Sequence, residues 1–176
     1  MLKILIFEGF DGVGKTTLAK KLSEKWGFNY IHFPLKGDPS FYPKETFLQE
    51  MYNEMMEKYL HWRMLTPLYI DQVKYVVVDR WALSTLLYNN PKGQMRSMLL
   101  DLLRPIPGTY FYYFLMSDDR EETKIYIKNC HELLYEMLEK NKDLDWVYHR
   151  TIIHHLKKEN PGNLLEVEKT VGLIWR

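Results

Sequence analysis

Residues 2–26 read LKILIFEGFDGVGKTTLAKKLSEKW, and the reading of this stretch decides the fold. Leu2 to Phe7 is a short apolar run that ends in a glycine-rich segment. Lys15 to Trp26 follows, with Leu18, Leu22 and Trp26 at four-residue spacing before Gly27. That order is strand, loop, helix and glycine stop. Between strand and helix, Gly9-Phe10-Asp11-Gly12-Val13-Gly14-Lys15-Thr16 fits G-x-x-x-x-G-K-[ST] in the context the motif requires. Glycines let backbone N–H groups converge on an anion, and the helix N-terminus adds partial positive charge. In such a loop Lys15 neutralises the β and γ phosphates of ATP and Thr16 offers a hydroxyl to Mg²⁺. Gly9, Asp11, Gly12, Val13, Gly14 and Thr17 complete the cradle. A turn that uses glycine for geometry alone does not account for Lys15 and Thr16 together.

Working outward, Phe28 to Phe33 resembles a second strand, and Pro34 to Pro43 is a loop rich in Pro, Gly, Asp and Ser. Helical spacing returns with Phe47, Met51, Met55 and Tyr59 and runs to about Asp71, with Pro67 expected to break it. Lys74 to Asp79 is continuously apolar at its centre, the mark of a strand buried on both faces. Ala82 to Tyr88 and Gln94 to Leu103 read as helices, and Tyr110 to Leu115 as a strand. The spacing then predicts helix over roughly 120–140 and 144–157, a turn at Asn160 to Asn163, a last strand at Leu164 to Val167 and a closing segment from Val171. Strands separated by helices give an α/β fold: a P-loop NTPase-type parallel sheet of about five strands with helices on both faces, three layers α/β/α. Ligands of such sheets bind at the carboxyl ends of the strands, where the glycine-rich loop and Asp79 both fall. Asp79 there is suited to holding Mg²⁺, directly or through water, and Arg80 to forking onto a phosphate. The alternative is that Asp79 caps the next helix and Arg80 pairs with a surface acid.

Composition bounds the function class. At roughly 100–200 residues per domain, the 176 residues make one compact domain with no linker or repeat. Lys plus Arg is 24 against 23 for Asp plus Glu, so no global field attracts nucleic acid or an anionic membrane. With 46% hydrophobic residues the chain lies outside the disordered class. A single cysteine, Cys130, and no signal-peptide core point to a cytoplasmic protein.

Three segments resemble the thymidylate kinase family of nucleoside monophosphate kinases: Phe7-Glu8-Gly9-Phe10-Asp11-Gly12, Phe33-Pro34, and Asp79-Arg80-Trp81-Ala82-Leu83-Ser84. The last is similar to the family's D-R-Y-x-x-S signature, with Trp81 in the tyrosine position. The resemblance implies that Asp11 meets the deoxyribose 3′-hydroxyl, that Arg80 and Lys36 bind the acceptor phosphate, and that Tyr88 crowds the 2′ position. For the base it implies a Phe-x-x-x-Arg pair. Tyr59-x-x-x-Arg63 reproduces that spacing, with Lys58 as a second register and a core Tyr59 beside a solvated Arg63 as the alternative. The resemblance also implies a homodimer, ATP as donor, Mg²⁺ as cofactor and deoxynucleoside monophosphates as partners, while the near-zero net charge points to neither nucleic acid nor membrane.

One departure bears on catalysis. The family supplies an arginine from the phosphate loop or from a small lid, expected here near residues 129–144, and neither stretch contains one. Lys128 is the first-ranked replacement and Lys124 the second, ahead of Arg120 and Arg150. The expected reaction is ATP- and Mg²⁺-dependent phosphorylation of a deoxynucleoside monophosphate, dTMP first, with Lys15, Asp79, Arg80 and Lys128 as catalytic groups. Two alternatives stand beside it. One is a deoxynucleoside kinase acting on a 5′-hydroxyl, for which Asp38 is the nearest candidate base. The other is a catalytically weak nucleotide-binding protein.

Overall fold

A computed structural model describes residues 1–33, 44–69, 71–142 and 150–174. Five strands, β1 (Leu2–Gly9), β2 (Asn29–His32), β3 (Lys74–Asp79), β4 (Thr109–Ser117) and β5 (Thr151–Lys157), form one parallel sheet in the order β2-β3-β1-β4-β5. The helices are α1 (Lys15–Trp26), α2 (Lys44–Leu65), α3 (Ala82–Asn89), α4 (Gly93–Asp101), α5 (Glu121–Lys140) and α6 (Asn163–Thr170). Alternation along the strands splits the core into two layers. Ile4, Ile6, Val78, Phe111 and Tyr113 face Met55 and Trp62 of α2, Leu83 and Leu86 of α3, Leu99 of α4 and Leu134 of α5. Leu5, Phe7, Val77 and Phe114 face Leu18 and Leu22 of α1 and Val167 of α6. Covered on both sides, the central strands need apolar residues at every position. The expected three-layer α/β/α architecture is the observed one.

Two expected elements at the C-terminal end are corrected. Residues 151–157, expected as the end of a helix, are the edge strand β5, whose Ile152 and Ile153 lie beside Tyr112 and Tyr113 of β4. The β-branched Thr151, Ile152 and Ile153 favour the pleated surface over a helix. Leu164 to Val167, expected as a strand, lies within α6, where Val167 is buried with Val171, just past the helix end, beside the partly buried Leu164. Short apolar runs do not separate the two periods, and here the three- and four-residue spacing prevails. Pro67 acts as expected: α2 stops at Leu65 and continues only as a 3₁₀ turn, Thr66–Tyr69.

The expected lid is corrected in its first part. Residues 129–140 belong to the single helix α5, and Cys130, Leu133, Leu134 and Met137 are buried in the core beneath it. Residues 143 and 144 lie outside the described residues. No helix among the described residues is long and apolar enough to cross a membrane.

Candidate active site

The glycines of residues 9–14 do separate jobs. A side chain at Gly9 would meet the Met116 carbonyl oxygen at 2.5 Å, so the loop can leave the sheet there only as glycine. Gly12 and Gly14 hold φ at 78° and 89°, left-handed conformations that turn the loop into α1. Gly14 is the residue that caps the helix, and the Leu18 N–H donates to its carbonyl at 3.1 Å. Val13 anchors the loop in the core, while Thr17 stays exposed in the first helical turn. Lys15 is buried at the same place, its Nζ donating to the Phe10 carbonyl at 3.2 Å. Burial, and then the nearby Arg80 guanidinium, hold its pKa below the ordinary lysine value, against the pull of Asp79, Glu8 and Asp11.

Asp79 closes β3, wholly buried, with the three donors around it all on one oxygen. Oδ2 accepts from Thr16 Oγ1 at 2.5 Å and from the Tyr30 hydroxyl at 3.0 Å, and lies 2.9 Å from His32 Nδ1. A carboxylate only accepts, so Nδ1 is the protonated ring nitrogen. Oδ1 is buried with no hydrogen-bond partner among the described residues. An orphaned carboxylate oxygen beside a threonine hydroxyl fits the hard oxygen donors that Mg²⁺ takes, so Thr16 and Asp79 suit the metal role expected of them. Tyr30 and His32 were not legible as site residues. Their signal was the two-residue alternation of β2 and its pairing, which sets His32 directly beside Asp79.

Arg80 follows in a left-handed conformation, φ 69°, at a cost on the order of 1–3 kcal/mol for a non-glycine residue. The surroundings over-determine it. The Arg80 N–H donates to the Phe7 carbonyl at 3.1 Å, and the next N–H, of Trp81, donates to Glu8 Oε1 at 2.7 Å. The guanidinium is thereby aimed back over the loop. It pairs with the Asp11 carboxylate, reaches Ser84 Oγ at 3.4 Å, and lies 5.3 Å from the Tyr88 ring centroid. Glu8 also takes the Ser84 hydroxyl, which sits 3.0 Å from the Tyr126 hydroxyl. Burial pushes the Glu8 carboxyl up to about 7, against these hydrogen bonds.

Asp11, Arg80 and Tyr88 share the lining of one cavity of about 310 Å³ with Phe47, Met51 and Met55 of α2. The expected base pair is not there. Tyr59 lies one turn beyond Met55, against the Phe111 ring, and Arg63 is exposed. Several turns of α2 offer the same four-residue spacing. Which turn faces the cavity depends on where the helix begins, at Lys44, and the residues of this helix that line it are Phe47, Met51 and Met55. Lys36 and Asp38 lie outside the described residues.

Lys128, the first-ranked cation, is also displaced. It is exposed on α5, paired with Glu132 at 3.9 Å, and eight residues of helix put it about 12 Å along the axis from residue 120. Arg150 lies over the Tyr110 ring, at the opposite end of the sheet. Arg120 is the one that touches the loop, its Nη2 donating to the Asp11 carbonyl at 2.9 Å.

No family model matches the chain. The probable thymidylate kinase of Methanococcus vannielii is 26% identical over 184 aligned positions, covering 98% of this chain and 89% of that protein. The thymidylate kinase of Orientia tsutsugamushi is 27% identical over 62% of this chain and 56% of its own length. Among solved structures, the thymidylate kinase of Candida albicans superposes with a TM-score of 0.57 at 18% identity, covering 96% of this chain and 92% of that one. That of Ehrlichia chaffeensis gives 0.56 at 19%, covering 97% and 98%. These two structures share the fold, and the Methanococcus vannielii relative is similar along nearly the whole of this chain. Together with the phosphate loop and the Asp79-Arg80-Trp81-x-x-Ser84 turn converging on one cavity, they make this chain similar in sequence and in fold to thymidylate kinases.

Proposed function

We propose that the protein transfers the γ-phosphoryl group of ATP to a deoxynucleoside monophosphate, with dTMP as the first acceptor. The observation that carries this reading is the cavity lined by Asp11, Arg80 and Tyr88, which opens beside the loop that buries Lys15. Lys15 and the loop amides bind the donor phosphates. Mg²⁺, when bound at Thr16 and Asp79, neutralises charge on the β and γ oxygens. Arg80 exchanges its Asp11 partner for the acceptor phosphate, which frees the Asp11 carboxylate to accept from a sugar hydroxyl. Tyr88, stacked on Phe10 at 6.2 Å, walls the sugar side. Phe47, Met51 and Met55 offer an apolar bed for the base.

An acceptor phosphate is already ionised and needs no base, whereas a 5′-hydroxyl does. Among the described residues Asp11 is the one carboxylate lining the cavity, and it is engaged by Arg80. That favours the monophosphate over a nucleoside. The family resemblance extends to a homodimer, for which Leu60 and Met64 of α2 and Leu68 of the following turn supply exposed apolar side chains. The test is ADP release with thymidine, dTMP and the other deoxynucleoside monophosphates as acceptors. Turnover with dTMP and none with thymidine supports the reading, and the reverse overturns it.

A further inference from the structure

We propose that Arg120 is the catalytic cation of this enzyme, and that it reaches the transferring phosphoryl group from the turn between β4 and α5. The inference rests on the kinase reading above. Between Gly9 and Gly14 the phosphate loop has no cationic side chain, yet charge developing on a transferred phosphoryl group must be met in a site that excludes water. Position 12 is open, a glycine at φ 78°, and the space beside it is taken from outside the loop. Arg120 Nη2 lies 3.7 Å from where a Cβ on Gly12 would stand. The same nitrogen donates to the Asp11 carbonyl at 2.9 Å, and the guanidinium carbon is 6.0 Å from the Phe10 ring centroid.

The guanidinium is aimed rather than loose. Asp118 Oδ2 accepts from Nε at 2.8 Å and pairs with Nη2 at 2.7 Å, while Asp118 Oδ1 accepts from the Arg120 backbone N–H at 3.1 Å and from Thr123 Oγ1 at 2.9 Å. Asp118 is thus a positioning residue, anchored to the first turn of α5 and holding the fork of Arg120 toward the loop. The side chain is still about half exposed. The other cations of this helix are turned to their own neighbours, Lys124 to Glu121 at 3.7 Å and Lys128 to Glu132 at 3.9 Å.

In the step, the bond from the γ-phosphorus to the β–γ bridging oxygen breaks and its electron pair leaves with ADP. An oxygen of the ionised acceptor phosphate forms the new bond to phosphorus, so no proton has to be removed. Arg120 gives up the Asp11 carbonyl and donates instead to the oxygens on which negative charge is redistributed. Its contribution is realised in the transition state rather than in ATP binding.

The experiment first measures transfer from ATP to each deoxynucleoside monophosphate by the parent protein. It then measures Arg120→Ala, Arg120→Lys and Asp118→Asn with the best acceptor. Loss of a cation of this kind is expected to lower kcat by about 10²-fold or more, with the KM for ATP changed by less than about threefold. Arg120→Lys keeps a charge beside Asp118 without the fork and is expected to recover only part of the loss. Calorimetry gives a second readout, comparing ADP alone with ADP plus aluminium fluoride and acceptor, a mimic of the transferring group. The parent is expected to bind the mimic more tightly than ADP alone, and Arg120→Ala to lose that gain while binding ADP normally. If Arg120→Ala melts early, the comparison is made on Arg120→Lys. Turnover within threefold of the parent, with the gain intact, overturns the role of Arg120 and leaves the kinase reading standing. A parent that phosphorylates no monophosphate overturns the kinase reading, and the role of Arg120 with it.

Discussion

Glu8 and Trp81 are joined at the carboxyl edge of the sheet: the Trp81 backbone N–H donates to Glu8 Oε1 at 2.7 Å, with Glu8 wholly buried. This bond links the strand that enters the phosphate loop to the turn that carries Arg80, so the loop and the turn share one carboxylate. Its pKa, raised by burial to about 7 from 4.5, sets the sign of a pH effect. The neutral carboxyl is favoured in the folded protein. The stability it contributes is therefore complete below the unfolded value near 4.5 and is lost as pH rises through 7. Glu8→Gln keeps an oxygen for Trp81 and should flatten the pH dependence of the melting temperature between 5 and 8. Glu8→Ala leaves the buried donors unpaired and should cost about 1–3 kcal/mol, read by urea unfolding.

Lys15 is buried with its charged form disfavoured, as expected of a residue kept for a ligand at the expense of the fold. Lys15→Ala should leave the melting temperature unchanged or slightly raised while turnover falls by about 10²- to 10³-fold or more. A melt and a turnover assay on one preparation check this. Loss of activity only in step with loss of structure would contradict it.

The phosphate loop was legible because two chemically special residues, Lys15 and Thr16, stand at a spacing that mere chain reversal does not require. Asp79 and Arg80 were legible because they follow an apolar strand. The α2 contribution was not, since Phe47, Met51, Met55, Tyr59 and Arg63 all repeat at four residues and spacing cannot say which turn meets the cavity. Strand β5 and helix α6 were exchanged for a related reason: TIIHHLK and NLLEVEKT are short, and their partners β4 and α1 decide their state. The role of Arg120 depended on the turn after Ser117 bending back onto residues 11 and 12, which no local pattern encodes.

Tyr88 lines the cavity proposed for the acceptor, and the Arg80 guanidinium carbon lies 5.3 Å from its ring centroid. Removing the ring makes room beside the sugar. Tyr88→Ala should raise the kcat/KM ratio of ribonucleotide to deoxynucleotide acceptors by about tenfold or more. An unchanged ratio would mean that Tyr88 supports Arg80 and does not read the sugar.

His131 on α5 and His155 on β5 face each other, Nε2 to Nε2 at 2.7 Å, with Tyr135 stacked on His131. One proton bridges two such nitrogens, and two imidazolium rings repel. Burial, then His131 and His154, hold the His155 pKa below its ordinary 6.5. The stability this contributes is complete above 6.5 and lost as pH falls through the lowered value. Between pH 7.5 and 5 the melting temperature should drop by about 2–4 °C for each kcal/mol lost. His155→Asn should remove part of that drop, and an unaltered profile would place the acid sensitivity elsewhere.

Phosphoryl transfer onto an existing phosphate leaves its mark in the product. The protein is incubated with dTMP and ATP carrying a labelled γ-phosphoryl group, and the nucleotide products are separated and examined by phosphorus NMR. The expected product is dTDP labelled at its β-phosphorus, formed in equal amount with ADP. Label recovered only as inorganic phosphate, or as dTMP made from thymidine while added dTMP stays unchanged, would contradict it.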